Sequence, residues 1–192
     1  FHMRERILWI DVIRGISILA MITFHFAFDM MYFGFAKPDL IYQPDWRLFE
    51  RLIAFSFLFI AGLSLSITHG ASINWKSFIR RYGVTASCAV LISTVTYVLF
   101  NDDMIRFGIL HAISVSGLIG LLLLKLNTFP LVLLAIMICF ININIPKPLD
   151  GHYFWQWLIY TTDTPNSLDY RPIVPWISPF ILGMASHQLF KK

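Results

Sequence analysis

Apolar residues run through this chain in six long stretches, at residues 7–32, 48–69, 82–100, 106–125, 129–145 and 173–190, separated by short polar segments. Each is close to the run of about 20 residues that an α-helix needs to cross the hydrocarbon core of a bilayer. The fifth is the shortest and ends at Pro146-Lys147-Pro148. None alternates apolar and polar positions with the period of two that a membrane β-barrel requires. The pattern predicts an all-α polytopic membrane protein, a bundle of about six transmembrane helices forming a single domain over residues 3–192. Phe1-His2 ahead of Met3 reads as a cloning remnant. No cleavable signal peptide is expected, because the first stretch is long enough to span and ends without a small-x-small site.

The first stretch departs from the apolar pattern. Asp11, Arg14, His25 and Asp29 interrupt it, and at 100° per residue they fall within about 60° of one another on a helical wheel. A membrane helix keeps such a stripe only by turning it toward other helices or a wet cavity, which makes its ionisable groups functional candidates.

Composition supports the membrane reading. The chain is 57% apolar and 14% charged, with a mean hydropathy of +0.68, where a soluble domain carries about 25% charged residues. The net charge of +4 comes without a basic, aromatic-interleaved patch, so nucleic acid is not an expected partner. Cys88 and Cys139 lie inside apolar stretches and read as buried free thiols. Metal-ligand spacing of the C-x-x-C or H-x-x-x-H type is missing from the sequence.

Loop charges predict the orientation. With six spans, one side holds Arg4, Arg6, Lys76, Arg80, Arg81, Lys125, Lys191 and Lys192, with Glu5 as its acid. The other side holds Lys37, Arg47, Arg51, Arg106, Lys147 and Arg171, diluted by Asp39, Asp45, Glu50, Asp102, Asp103, Asp150, Asp163 and Asp169. Eight cations against six, with the basic loop Asn74–Arg81 on the richer side, predict cytoplasmic N- and C-termini. His25 then lies about 16 Å beyond Arg14 along the first helix. Asp11 and Arg14 fall near the cytoplasmic face. His25, Asp29, Asp103, Arg106 and His111 fall near the outer one, with the segment Asp150–Trp157.

The polar pairs carry candidate chemistry. His25 and Asp29 are an i, i+4 pair, and a carboxylate beside an imidazole fixes its tautomer and raises its basicity, as a general base requires. A plain structural hydrogen bond fits the same spacing. Asp11 and Arg14 read as an anchor for an anionic cofactor or as an interfacial salt bridge. Asp102 or Asp103 reads as the cap of the fourth span, and His111 lies one turn deeper. Gly62–Ser66 and Ser114–Gly120 are small-residue runs suited to helix packing. Pro175 and Pro179 kink or break the sixth span. His69 and His187 sit near helix ends as interfacial residues, and Trp155 and Trp157 read as interface anchors or as a sugar-stacking lid.

The run Arg6…Asp11-Val12-Ile13-Arg14-Gly15…His25 resembles the opening helix of membrane acyltransferases. Phe57–Gly62, Arg106-Phe107-Gly108-Ile109-Leu110-His111 and Asp169-Tyr170-Arg171-Pro172-Ile173-Val174-Pro175-Trp176 extend the resemblance, in order, to the bacterial relatives of heparan-α-glucosaminide N-acetyltransferase. The resemblance implies an integral-membrane N- or O-acetyltransferase of the cytoplasmic (inner) membrane. It would move an acetyl or other acyl group from cytoplasmic acetyl-CoA to a carbohydrate-like acceptor outside. It implies a catalytic set of His25 (general base or acyl carrier), Asp29 (its orienter) and His111. Arg14 and Asp11 would hold the acyl-CoA donor, and Arg106, Asp103 and Trp176 the acceptor. The partners it implies are the lipid bilayer and the two substrates, with a homodimer left open. The chain departs from the animal enzyme in being shorter, in carrying His25 where that enzyme has Asn, and in lacking a match for its loop histidine. The stripe on the first helix is also compatible with a proton-coupled transporter or channel.

Overall fold

The structure is a computed structural model that describes residues 8–144, 153–162, 164–165 and 167–189. Arg4, Glu5, Arg6, the Pro146-Lys147-Pro148 segment, Asp150, His152, Asp163, Lys191 and Lys192 lie outside the described residues, as does the Phe1-His2 start.

The chain is all-helical. Its elements are α1 (Leu8–Tyr32), α2 (Pro44–His69), α3 (Trp75–Phe100), α4 (Ile109–Leu123), α5 (Thr128–Asn144), the single turn α6 (Tyr153–Gln156) and α7 (Ile173–Leu189). Short 3₁₀ turns at Leu40–Tyr42 and Asn101–Asp103 precede α2 and follow α3. Three helices, α1, α2 and α3 with its 3₁₀ extension, are long and apolar enough to cross a membrane. The apolar helices α4, α5 and α7 are shorter, at 15, 17 and 17 residues. All six predicted stretches are helical over most of their length.

Helix α7 is the centre of the bundle. Ile177, Phe180, Ile181, Met184 and Ala185 pack with Leu58 of α2, Ala112 of α4, and Leu131 and Ala135 of α5. Two glycines bring α2 and α7 into backbone contact. A Cβ on Gly62 would strike the Phe180 carbonyl, and a Cβ on Gly183 would strike the Phe59 carbonyl. The small-residue run at Gly62 is therefore a packing surface, as its composition predicts. By contrast α1 and α3 present long exposed apolar faces, including Leu19, Ile22, Phe26, Val90, Leu91 and Val98. Such surface is at home against lipid tails rather than water.

Three helix starts differ from the sequence reading by three residues or more, that of α2 lying at Pro44 rather than 48. Helix α3 begins at Trp75 rather than 82, so that Trp75–Arg81 is its first two turns and not a loop. The Asn74 side chain accepts the Ser77 N–H at 3.0 Å and its own N–H donates to His69 Nδ1 at 3.2 Å, which fixes the start. Apolar content misplaces this end because the turns carry Lys76, Arg80 and Arg81. Asn74→Ala is expected to cost about 1 kcal/mol of stability, read from thermal unfolding in detergent, with Asn74→Asp restoring it. Helix α4 begins at Ile109, and its first N–H is capped by Asp169, 2.7 Å away, not by Asp102 or Asp103. Those two acids lie in the 3₁₀ turn that ends α3.

Candidate functional site

The antiparallel pairing of α1 and α2 sets two polar levels in the bundle. At one end, Arg14 donates to Ser64 Oγ of α2 and pairs with Asp11 Oδ1 at 3.1 Å. The first turns of α3 add Lys76, Arg80 and Arg81 to the same end. Arg14, Lys76, Arg80 and Arg81, with Asn74 and Ser77, line a basin of about 820 Å³. Among the described residues no Asp or Glu lines it, Asp11 reaching it only through its pairing with Arg14. Arg14, Arg81 and Thr85 also line a second cavity of about 340 Å³, walled by Phe57, Ile60, Leu65, Ile113, Gly117 and Phe180. Its walls are predominantly apolar. A cationic basin thus opens into an apolar groove.

The groove runs inward. Ile113 lies two residues from His111, and Ile18 and Phe57 each lie seven residues, about 10 Å, from His25 and Glu50 on their helices. Its inner end therefore approaches the second polar level.

That level is built by the extended segment before α7. Arg171 N donates to Phe107 O at 2.9 Å and Leu168 N to Asp103 O at 3.1 Å, so the segment lies along the entry to α4. In extended chain, residues two apart share a side, and Asp169 and Arg171 do so here, with Arg171 Nε 3.6 Å from Asp169 Oδ1. Arg171 also hydrogen-bonds Glu50 of α2 and lies 4.8 Å over the Trp176 ring. The Trp176 indole donates to Tyr160 Oη at 2.9 Å. Arg47 reaches Glu50 from outside at 3.8 Å.

The electrostatics follow from this crowding. Burial pushes the Asp169 carboxyl up from the ordinary aspartate value, against the opposing pull of Arg171 and the Ile109 N–H; Glu50 adds to the rise, and His25 opposes it. Burial works against the Arg171 cation, but Asp169 and Glu50 outweigh it and raise its pKa. Burial, with Tyr160 beside it, lifts the Tyr170 phenol to about 12. Its hydroxyl donates to Gln156 O at 2.6 Å.

The histidines differ in how they are held. His111 Nδ1 accepts the Gly108 N–H at 3.3 Å, and Nε2 lies 3.4 Å from Ser93 Oγ, whose own proton goes to Ile105 O. The tautomer satisfying both contacts carries its proton on Nε2. Both ring nitrogens of His111 are therefore engaged at the start of α4. His25 is exposed on α1, with its ring centroid 6.1 Å from that of Phe24. Asp29 is exposed one turn further on, and no hydrogen bond or ion pair joins it to His25 among the described residues. Asp103 and Arg106 are exposed on the approach to α4, at the same level. The structure thus brings His25, His111 and Trp176 to one end with Asp103 and Arg106, and Asp11 and Arg14 to the other.

The sequence matches one family of known proteins. The model of the catalytic domain of heparan-α-glucosaminide N-acetyltransferase matches residues 6–192. The chain belongs to this family. No curated protein and no solved structure matches the chain. Membership in the heparan-α-glucosaminide N-acetyltransferase family makes this a membrane acetyltransferase at the level of its class. The remaining candidate groups, Glu50 and the basin cations Lys76, Arg80 and Arg81, were legible only as loop charges. Their partners lie far away in sequence: Glu50 is 121 residues from Arg171.

Proposed function

We propose that this chain transfers an acetyl group from cytoplasmic acetyl-CoA to a carbohydrate-like acceptor on the opposite face, as a six-span protein of the cytoplasmic (inner) membrane with cytoplasmic termini. One observation carries the reading: the cationic basin opens into an apolar groove that runs toward His25. A phosphorylated carrier with a long, uncharged arm fits that sequence of surfaces. Arg14, Lys76, Arg80 and Arg81 would hold its phosphates, Asp11 would orient Arg14, and the groove would take the arm. The bound thioester supplies an activated acyl carbon and a thiol leaving group.

The protein's own groups do the rest. His25, open on α1, takes the proton of the acceptor's amine or hydroxyl as that atom attacks the acyl carbon. Asp29, one turn along on the same helix face, is its candidate orienter. His111 sits at the junction of groove and outer site. Its ring holds the start of α4 through Gly108 and Ser93, and Arg106 at the same level is the donor suited to charge developing on the acyl oxygen. Asp103, Arg106 and Trp176 line the approach for the acceptor.

The experiment is direct: pure protein in detergent or proteoliposomes is given labelled acetyl-CoA and an amino sugar, and acetylated acceptor is measured. Lys76→Ala/Arg81→Ala is expected to raise the KM for acetyl-CoA about 10-fold or more, with the difference shrinking as salt is added. An unchanged KM at low salt sinks the assignment of the basin to the donor. Acceptor-independent flux of a solute with no acetyl-CoA present would favour a transporter instead.

A further inference from the structure

Among the described residues, Arg14 of α1 and Arg81 of α3 border both the basin and the apolar groove, together with Thr85. Two guanidinium groups from different helices thus stand where one cavity passes into the other. One face of α2 reaches both. Ser64 Oγ accepts a hydrogen bond from Arg14 Nη2, and Thr68 Oγ1 lies 3.5 Å from Arg81 Nη1. Ser64 and Thr68 are four residues apart, so they sit one above the other on a helix. The Ser64 hydroxyl gives its own proton to Ile60 O at 2.6 Å, which leaves its lone pairs to the guanidinium.

The kind of partner matters. A carboxylate is the stronger partner for a guanidinium and neutralises it. The α2 hydroxyls fix direction and leave the positive charge for a ligand. Among the described residues no carboxylate pairs with Arg81, and Arg14 pairs with Asp11 through its other terminal nitrogen. That ion pair is exposed, where such pairs contribute little, whereas Ser64 is itself part of the groove wall. Ser64 therefore draws Arg14 toward the groove, against the pull of Asp11 toward solvent.

We propose that Ser64 and Thr68 are positioning residues of the donor site, which turn Arg14 and Arg81 into the passage between basin and groove before the donor arrives. The inference rests on the reading of the basin as the seat of the donor's phosphates, and it adds what aims the cations. An arginine loses rotamer freedom when it grips a ligand, and side chains already held lose less. The hydroxyls thus shift that cost from binding to folding.

Equilibrium binding of CoA to the full chain in detergent, read by calorimetry at low salt, tests this. Ser64→Ala/Thr68→Val removes both hydroxyls at nearly constant volume and is expected to raise the Kd about 10-fold. In steady-state transfer the loss should appear in the KM for acetyl-CoA rather than in kcat. Ser64→Thr/Thr68→Ser retains both hydroxyls and is expected to recover most of the affinity. In an Arg14→Gln background, which leaves Arg81 in place, Ser64→Ala should weaken binding no further, and Thr68→Val should add nothing to Arg81→Gln, because groups that act through one another are not additive. Equal losses with and without the arginine, or no loss with both arginines present, overturn the proposal while leaving the basin as the donor site. Absence of CoA binding by the wild type, or unchanged binding by Arg14→Gln/Arg81→Gln, overturns the reading of the basin and the proposal with it. Should Ser64→Ala fail to fold, the Thr68 and Arg81 cycle, at the exposed end of the pair, decides.

Discussion

His25→Gln is expected to lower acetyl transfer by about 10³-fold, within the 10²–10⁴ range for removal of a general base, while the helical bundle stays intact. The two halves of this expectation come from different observations. The loss follows from position: among the described residues at the outer level, His25 is the imidazole whose nitrogens are not tied up by the backbone, whereas His111 holds Gly108 and Ser93. Retention of the fold follows from exposure. The side chain is exposed on α1, and its ring contact is the edge of Phe24. Replacing it removes no buried hydrogen bond. The comparison variant is His111→Gln, whose ring holds both the Gly108 N–H and Ser93; that change is expected to reduce stability as well as rate. Thermal unfolding in detergent beside single-turnover acetyl transfer separates the two. Wild-type transfer by His25→Gln would remove His25 from the mechanism.

What could be read from the sequence divides along the line between local and distant contacts. The six apolar stretches are local, and each is a helix, because apolar content over about 20 residues needs no partner to be recognised. The stripe of Asp11, Arg14, His25 and Asp29 is also local, a matter of helical phase, and the structure divides it between two levels as the rise per residue implies. The resemblance carried by Asp169-Tyr170-Arg171 pointed to a meaningful segment, but not to what it touches. The cap of α4 shows why. Sequence proximity favours Asp102 and Asp103, which complement a helix N-terminus electrostatically. The cap actually comes from Asp169, 60 residues after the Ile109 it caps, because the extended segment before α7 pairs with Phe107 and brings its carboxylate there. Similarly, Lys76, Arg80 and Arg81 were visible as a topological signal. That they form one basin with Arg14 depends on α3 beginning seven residues before its apolar run, a boundary set by Asn74.

Gly62→Leu and Gly183→Leu are each expected to destabilise the protein by several kcal/mol, among the larger losses a single substitution produces, and the reason is reciprocal geometry. At Gly62 the Phe180 carbonyl of α7 occupies the space a Cβ would need; at Gly183 the Phe59 carbonyl of α2 does the same. Backbone cannot swing aside as a flexible side chain does, so any Cβ forces the helices apart. Helix α7 is the element against which α2, α4 and α5 all pack, through Phe180, Ile181 and Met184. Parting it from α2 therefore loosens the whole core and also moves Arg171 away from Glu50. The loss should appear as a fall of roughly 10 °C or more in the midpoint of unfolding, together with loss of transfer. Gly83→Ala in α3 is the matched control: nothing lies within 4 Å of its Cβ position. Removing a glycine from a helix interior there is expected to raise stability by up to about 1 kcal/mol. An unchanged midpoint for either leucine variant would show that α2 and α7 do not meet through these two glycines.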